Sequence, residues 1–152
     1  MIAVLQRINS ATIYADGEFS GEAKKGLYIL LGVIKGDGKR DAELLADKIS
    51  KCRIFTDEND KMNLSVQDID GEVMIVSNFT LGANYKHGNR PDYFASAAPS
   101  EANELYEYFV ELMTGKVKKV ATGKFGADMR TEMSTDGPVT VVMDSEILKG
   151  KK

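Results

Sequence analysis

Two short segments of the chain carry groups suited to chemistry. Ser77-Asn78-Phe79-Thr80-Leu81 sets two hydroxyls, an amide and a run of backbone N–H groups where a β segment gives way to a long loop. Backbone donors at such a point can form an oxyanion hole, and Thr80 offers a hydroxyl. Taken alone, Thr80 reads equally well as a β-branched strand residue whose hydroxyl bonds to the backbone. Gly137-Pro138-Val139-Thr140 opens a strand with proline, where a missing N–H is tolerated. A Gly-Pro unit presents a rigid carbonyl and no side chain, as a probe of a substrate's Cα requires; in isolation it is also an ordinary turn.

Familiar catalytic sets are absent. The one histidine, His87, stands in a basic loop, and the one cysteine, Cys52, falls on an apolar helical stripe. Metal sites built from several histidines or cysteines are therefore excluded, and no clustered carboxylate motif replaces them. No G-x-G-x-x-G opens a helix and no Walker lysine follows a glycine-rich loop, so no cofactor is expected. A serine triad would need His87, yet no G-x-S-x-G elbow is present, and His87 reads as a loop or RNA-contacting residue.

The elements that must position these groups are legible from the pattern. Val4-Gln6-Ile8 and Ala11 to Ala15 read as two β segments, with Asp16-Gly17 supplying the positive-φ pair of a tight hairpin. Gly26 to Val33 is nearly continuous apolar sequence, which suits a strand buried on both faces. From Asp41 the positions Ala42, Leu45, Ile49 and Cys52 recur at helical spacing. Asp70-Gly71 predicts a turn before a strand from Glu72 to Ser77, and Gly82 to Pro99 is a loop long enough to be functional. Ser100 is expected to cap a second helix with Ala102, Leu105, Phe109 and Leu112 on one face and Gly115 just beyond its end. Strands are expected at 116–121, 127–135 and 139–143. No βαβ alternation is apparent, so the predicted class is α+β: a curled, antiparallel-rich sheet or barrel with two main helices.

The chain has 152 residues, 43% of them hydrophobic, which fits one domain over 1–152. Its longest apolar run, Leu27 to Ile34, is far short of the ~18 residues of a membrane span, and the N-terminus reads as a strand rather than a leader. A cytoplasmic protein is expected. A net charge of −3 argues against indiscriminate coating of nucleic acid. Even so, Lys116, Lys118, Lys119, Lys124 and Arg130 cluster with only Asp128 opposing them. Such a run is also what a solvated lysine face looks like.

Together the two segments resemble the signature pair of the D-aminoacyl-tRNA deacylase family, S-Q-F-T-L and N-x-G-P-V-T. Other segments fit the same pattern in order: Gln6-Arg7, Leu31-Gly32-Val33, Arg53-Ile54-Phe55, Lys61-Met62-Asn63, Arg90-Pro91, Ala97-Ala98-Pro99 and the stretch from Thr122 to Met129. Asn78 stands where that family usually has glutamine, and Thr135 where it usually has asparagine. Both leave the neighbouring backbone groups available, so modest tuning is expected.

The resemblance implies an editing hydrolase that cleaves the ester of D-aminoacyl-tRNA, and of glycyl-tRNA, which has no side chain to reject. It implies a homodimer with active sites at the subunit interface, each receiving Gly137-Pro138, as a Gly-cis-Pro unit, from the opposite subunit. Ser77, Asn78, Phe79 and Thr80 would form the catalytic segment, and Phe125, Gly126, Ala127 and Met129, with Val139 and Thr140, would contact the substrate and its adenosine. The acceptor end of the tRNA is the expected partner, steered by the basic residues between Lys116 and Arg130. A free hydroxyl without a base is a poor nucleophile, which favours catalysis assisted by the ribose 2′-OH. A non-catalytic nucleic-acid-binding module and a threonine-nucleophile esterase stand as alternatives.

Overall fold

The first strand, β1 (Ile2–Ala15), organises the sheet. In the computed structural model, which describes residues 1–150, the two expected β segments are one strand of 14 residues. Along one edge its first half pairs antiparallel with β3 (Gly26–Gly32) and its second half with β2 (Glu18–Ala23). The other edge pairs antiparallel with β8 (Met129–Asp144). Asp16 and Gly17 take φ of 50° and 82°, the pair that a two-residue hairpin turn requires.

β3 continues in parallel to β6 (Glu72–Ser77), and β6 in parallel to β7 (Lys119–Thr122). Helix α1 (Lys39–Lys51) lies in the first connection and α2 (Pro99–Thr114) in the second. The expectation of no βαβ alternation is therefore corrected. Each crossover also holds a long irregular stretch or a small hairpin, here β4 (Phe55–Thr56) with β5 (Met62–Leu64), and these obscured the alternation. Ser20 Oγ donates to the carbonyl of Thr122 at 2.8 Å, drawing β2 toward β7 and curling the sheet almost shut. The architecture is α+β, with antiparallel pairing around β1.

Because helices cover one face and the curl encloses the other, β3 and β6 are buried on both. Leu27, Ile29, Leu31, Val73 and Ile75 meet the helices; Tyr28, Met74 and Val76 meet Ile8 and Ile13 inside the curl. Helix α1 buries Ala42, Leu45, Ala46 and Ile49 as its spacing predicted. Helix α2 turns slightly from the expected face: Ala102, Tyr106, Phe109 and Met113 are buried, with Leu105 and Leu112 at the margin. Tyr106 can point inward because its hydroxyl donates to the carbonyl of Ile75 at 2.8 Å. Burying Phe109 completely contributes ~1.5–3 kcal/mol.

Helix ends differ from the sequence reading for local reasons. Pro99 occupies the first turn of α2 after Ala98, so Ser100 lies inside the helix and caps nothing. Gly115 ends α2 with a φ of −78°, and its N–H reaches the carbonyl of Glu111 without a left-handed residue. Cys52 sits half-buried just past α1 rather than on its buried stripe, and burial pushes its thiol up.

A third helix, α3 (Ser145–Lys149), adds to the two expected. Asp144 caps it by accepting from the N–H of Glu146 at 3.0 Å. Ser145 Oγ donates to Asp41 at 2.6 Å and Lys149 Nζ pairs with the same carboxylate at 2.7 Å, tying α3 to α1. Among the described residues no helix is long and apolar enough to cross a membrane.

Candidate active site

β6 ends at Ser77, and the chain leaves the sheet through a 3-10 turn, Phe79–Gly82. Two glycines let this turn lie close. A Cβ on Gly32 would meet Leu81 Cβ at 2.8 Å, and one on Gly82 would meet Ser96 Oγ at 2.3 Å. Ser96 Oγ in turn donates to the carbonyl of Phe79 at 2.7 Å, and Tyr93 packs edge-on against the Phe79 ring with centroids 5.1 Å apart. The turn is thus held between β3 and the segment 93–97.

Above it opens a cavity of about 750 Å³. Of the residues expected at the site, Ser77, Asn78, Phe79, Phe125, Gly126, Ala127 and Met129 line it together, although four of them lie some fifty residues from the others in sequence. Thr80 does not line it, and neither do Gly137, Pro138, Val139 and Thr140 of the same chain. Pattern reading missed Lys35, Tyr93, Phe94 and Asp128 as lining residues; aromatics in a long loop were the only available signal.

The hydrogen bonds of the turn separate its three candidate donors. The N–H of Asn78 goes to the carbonyl of Leu31 at 2.8 Å. That of Thr80 goes to Asn78 Oδ1 at 3.2 Å, and the Thr80 hydroxyl donates to the same oxygen. Among the described residues the N–H of Phe79 has no acceptor. One backbone donor at the cavity wall is therefore free to meet a ligand oxygen.

Gly137-Pro138 occupies an unusual place in the sheet. Gln6 pairs with Thr140 and Ile8 with Thr135, so residues 136 to 139 all stand opposite Arg7 as a wide bulge in β8. The strands expected at 127–135 and 139–143 are the two sides of this bulge. The Gly137-Pro138 peptide bond is cis, and both residues are exposed. Arg7, mostly buried, holds the base of the bulge: Nε donates to the carbonyl of Asp136 at 3.1 Å, Nη1 to that of Ile54 at 2.9 Å, and Nη2 lies 3.4 Å from the Asp136 carboxylate. A Cβ on Gly137 would fall 2.2 Å from the N of Val139, so only glycine fits this path.

The family model described as D-Tyr-tRNA(Tyr) deacylase matches residues 4–144. A D-aminoacyl-tRNA deacylase of Thermosipho melanesiensis is 50% identical over 147 residues, 96% of this chain and 98% of the relative. The chain belongs to the D-aminoacyl-tRNA deacylase family. Membership places it among the hydrolases that act on the ester bond of aminoacyl-tRNA.

Solved structures agree on the fold of the deacylase family. A chain described as c-Myc DNA Unwinding Element Binding Protein superposes with a TM-score of 0.89 at 33% identity, covering 95% of this chain and 98% of that one. A probable eukaryotic D-amino acid tRNA deacylase superposes at 0.79 with 15% identity, over 93% and 97% of the two chains. Asn78 folds back onto Thr80 through its Oδ1. The Thr135 carbonyl accepts from Asn9 Nδ2 at 3.4 Å.

Four of the five basic residues between Lys116 and Arg130 have a carboxylate within 4.0 Å, and Lys124 has none among the described residues. Lys116, Lys118 and Lys119 face Asp47, Asp70 and Glu72 at 4.0, 3.8 and 3.8 Å, and Arg130 pairs with Glu132 while lying over the Tyr14 ring. Asp47, Asp70 and Glu72 are distant in sequence from the lysines they face, so the local charge balance could not reveal them. Among the described residues the one group of three close carboxylates, Asp37, Asp41 and Glu146, is met by the Met1 ammonium and Lys149.

Proposed function

We propose that the chain removes D-amino acids from mischarged tRNA, with the aminoacyl group in the cavity beside Phe79 and Gly137-Pro138 of a second copy as the chirality filter. The observation that carries this reading is the free N–H of Phe79 at the cavity wall. A tetrahedral intermediate of ester hydrolysis develops negative charge on the former carbonyl oxygen, and a fixed donor stabilises it without reorganisation. Phe125, Gly126, Ala127 and Met129, which line the same cavity, take the terminal adenosine.

Selection works by exclusion. The rigid carbonyls of Gly137-Pro138 occupy the space an L side chain must enter, and a D side chain points elsewhere. Glycine offers no side chain to refuse, so glycyl-tRNA is also a substrate. Support for supply from a second copy is twofold: the bulge is exposed and lines no part of its own chain's cavity, and among the described residues β8 pairs only with β1. A 16-residue strand with an open edge is suited to pairing across a two-fold axis.

Cleavage relies on the substrate. The Thr80 hydroxyl donates a hydrogen bond to Asn78 Oδ1 and has no base beside it among the described residues, which disfavours a covalent threonine intermediate. The ribose 2′-OH next to the ester is the group left to help activate water. Such an enzyme works in the cytoplasm, where tRNA is charged, and acts as a single domain without a cofactor.

The test is direct. Incubated with D-Tyr-tRNA, the purified protein shortens the lifetime of the ester by at least a hundredfold. Tight binding of charged tRNA with an unchanged ester lifetime contradicts the reading and favours a binding module.

A further inference from the structure

The segment between the 3-10 turn and α2 contains a small hairpin. Asn84 and Asp92 close it with two backbone hydrogen bonds of 2.8 and 2.9 Å. Asn84 Oδ1 accepts from the N–H of Lys86 at 3.1 Å, and Gly88 turns the tip with a φ of +68°. Its shape is therefore built, although every residue from Asn84 to Pro91 is exposed.

Its position and chemistry both point outward from the cavity. Tyr93 and Phe94, directly after the hairpin, line the cavity, while Gly82, Ala83, Asn84, Tyr85, Lys86 and Ala95 line a second, shallower hollow of about 590 Å³. Tyr85 is 81% exposed. Among the described residues neither Lys86 nor Arg90 has a carboxylate within ion-pair distance, in contrast to Lys116, Lys118, Lys119 and Arg130. Lys35 at the cavity wall and Lys124 beside Phe125 are likewise without such a partner among the described residues, so the hairpin adds two cations to a rim that already carries uncompensated positive charge.

We infer that the hairpin 84–92 docks the single-stranded 3′ end of the charged tRNA, with the base preceding the terminal adenosine stacked on Tyr85 in the hollow. Lys86 and Arg90 hold the adjoining phosphates. An exposed aromatic beside unpaired cations is the combination that binds single strands: stacking supplies sequence-tolerant contact, and phosphate neutralisation supplies salt-dependent attraction. A duplex would not serve, because a base must be unstacked to reach Tyr85. This inference rests on the cavity being the aminoacyl-adenosine site.

Steady-state kinetics on the full chain test it with two substrates, D-Tyr-tRNA and the D-tyrosyl ester of adenosine, together with binding of an uncharged RNA ending in a single-stranded CCA. Tyr85→Ala, and separately the pair Lys86→Ala with Arg90→Ala, should raise KM for D-Tyr-tRNA about tenfold with kcat retained. They should leave cleavage of the adenosine ester unchanged and weaken RNA binding to the same degree. The double variant should also lower the dependence of log Kd on log salt by about 1.4, as for two lost phosphate contacts to a single strand. Unchanged KM and RNA affinity in both variants, or an equal loss on the adenosine ester, would overturn the docking role. A wild-type protein that binds the RNA through the hairpin yet cleaves neither ester would support the docking surface while refuting the reading of the cavity.

Discussion

Asn78 Oδ1 receives both the backbone N–H and the hydroxyl of Thr80, so the side chain of one residue fixes both polar groups of the other. The contact leaves Phe79 as the single free backbone donor of the turn. It also directs the Thr80 hydroxyl proton to Asn78.

Asn78→Ala removes this double acceptor. The loss resembles that of a helix N-cap, about 1 kcal/mol, and the turn that aims Phe79 loosens with it. The expected result is a fall in kcat of about fivefold to tenfold with KM nearly unchanged. Asn78→Gln keeps the acceptor on a longer arm and should retain more activity than the alanine variant, as kinetics on D-Tyr-tRNA would reveal.

Thr80→Ala tests the route of cleavage. With no base near the hydroxyl, the variant should keep activity within about tenfold of wild type, and mass spectrometry of the stopped reaction should find no acyl adduct on the wild-type protein. A loss of several thousandfold, or an adduct on Thr80, would restore the nucleophile reading.

Arg7→Ala withdraws the donors that hold the carbonyls of Ile54 and Asp136. Each lost hydrogen bond from a charged group costs about 1.5–3 kcal/mol, so a drop in unfolding free energy of about 3–6 kcal/mol is expected in urea denaturation. Because the bulge loses its anchor, the preference for D- over L-aminoacyl-tRNA should fall as well. Gly137→Ala forces the bulge to rearrange around the 2.2 Å clash with Val139 and should reduce the same preference with a smaller loss of stability.

Acid stability should report on Asp41. Burial alone would raise its carboxyl, yet Lys149, the Ser145 hydroxyl and the N–H of Gly38 outweigh it and hold the group down at about 2, against an ordinary 3.8. A carboxylate depressed in the folded state stabilises above its unfolded value and loses that contribution as pH falls toward its folded value. The difference in stability between wild type and Asp41→Asn should therefore be constant above about pH 5 and shrink between pH 4 and 2. A difference independent of pH across that window would show that the carboxylate's charge contributes nothing.

Several features were legible in the sequence because their cause is local. Asp16-Gly17 forms the hairpin turn that its chemistry dictates, and β6 runs from Glu72 to Ser77 between turn signals. The union of Ser77 to Phe79 with Phe125 to Met129 at one cavity came from the family resemblance, since no periodicity links positions so far apart. What escaped was set by distant partners. Tyr106 turned inward because Ile75 offered an acceptor, Lys118 found Asp70 across the fold, and the parallel crossovers depend on which strands meet. Ser100 failed as a cap because Pro99 started the helix first.

Chirality selection by a Gly137-Pro138 unit is a statement about relative rates of ester hydrolysis. Single-turnover rates on D-Tyr-tRNA, L-Tyr-tRNA and glycyl-tRNA with the purified protein measure it most directly. Rapid release from the D- and glycyl-tRNA, with L-Tyr-tRNA decaying no faster than in buffer, is the outcome predicted here. Equal rates for D- and L-Tyr-tRNA would contradict it.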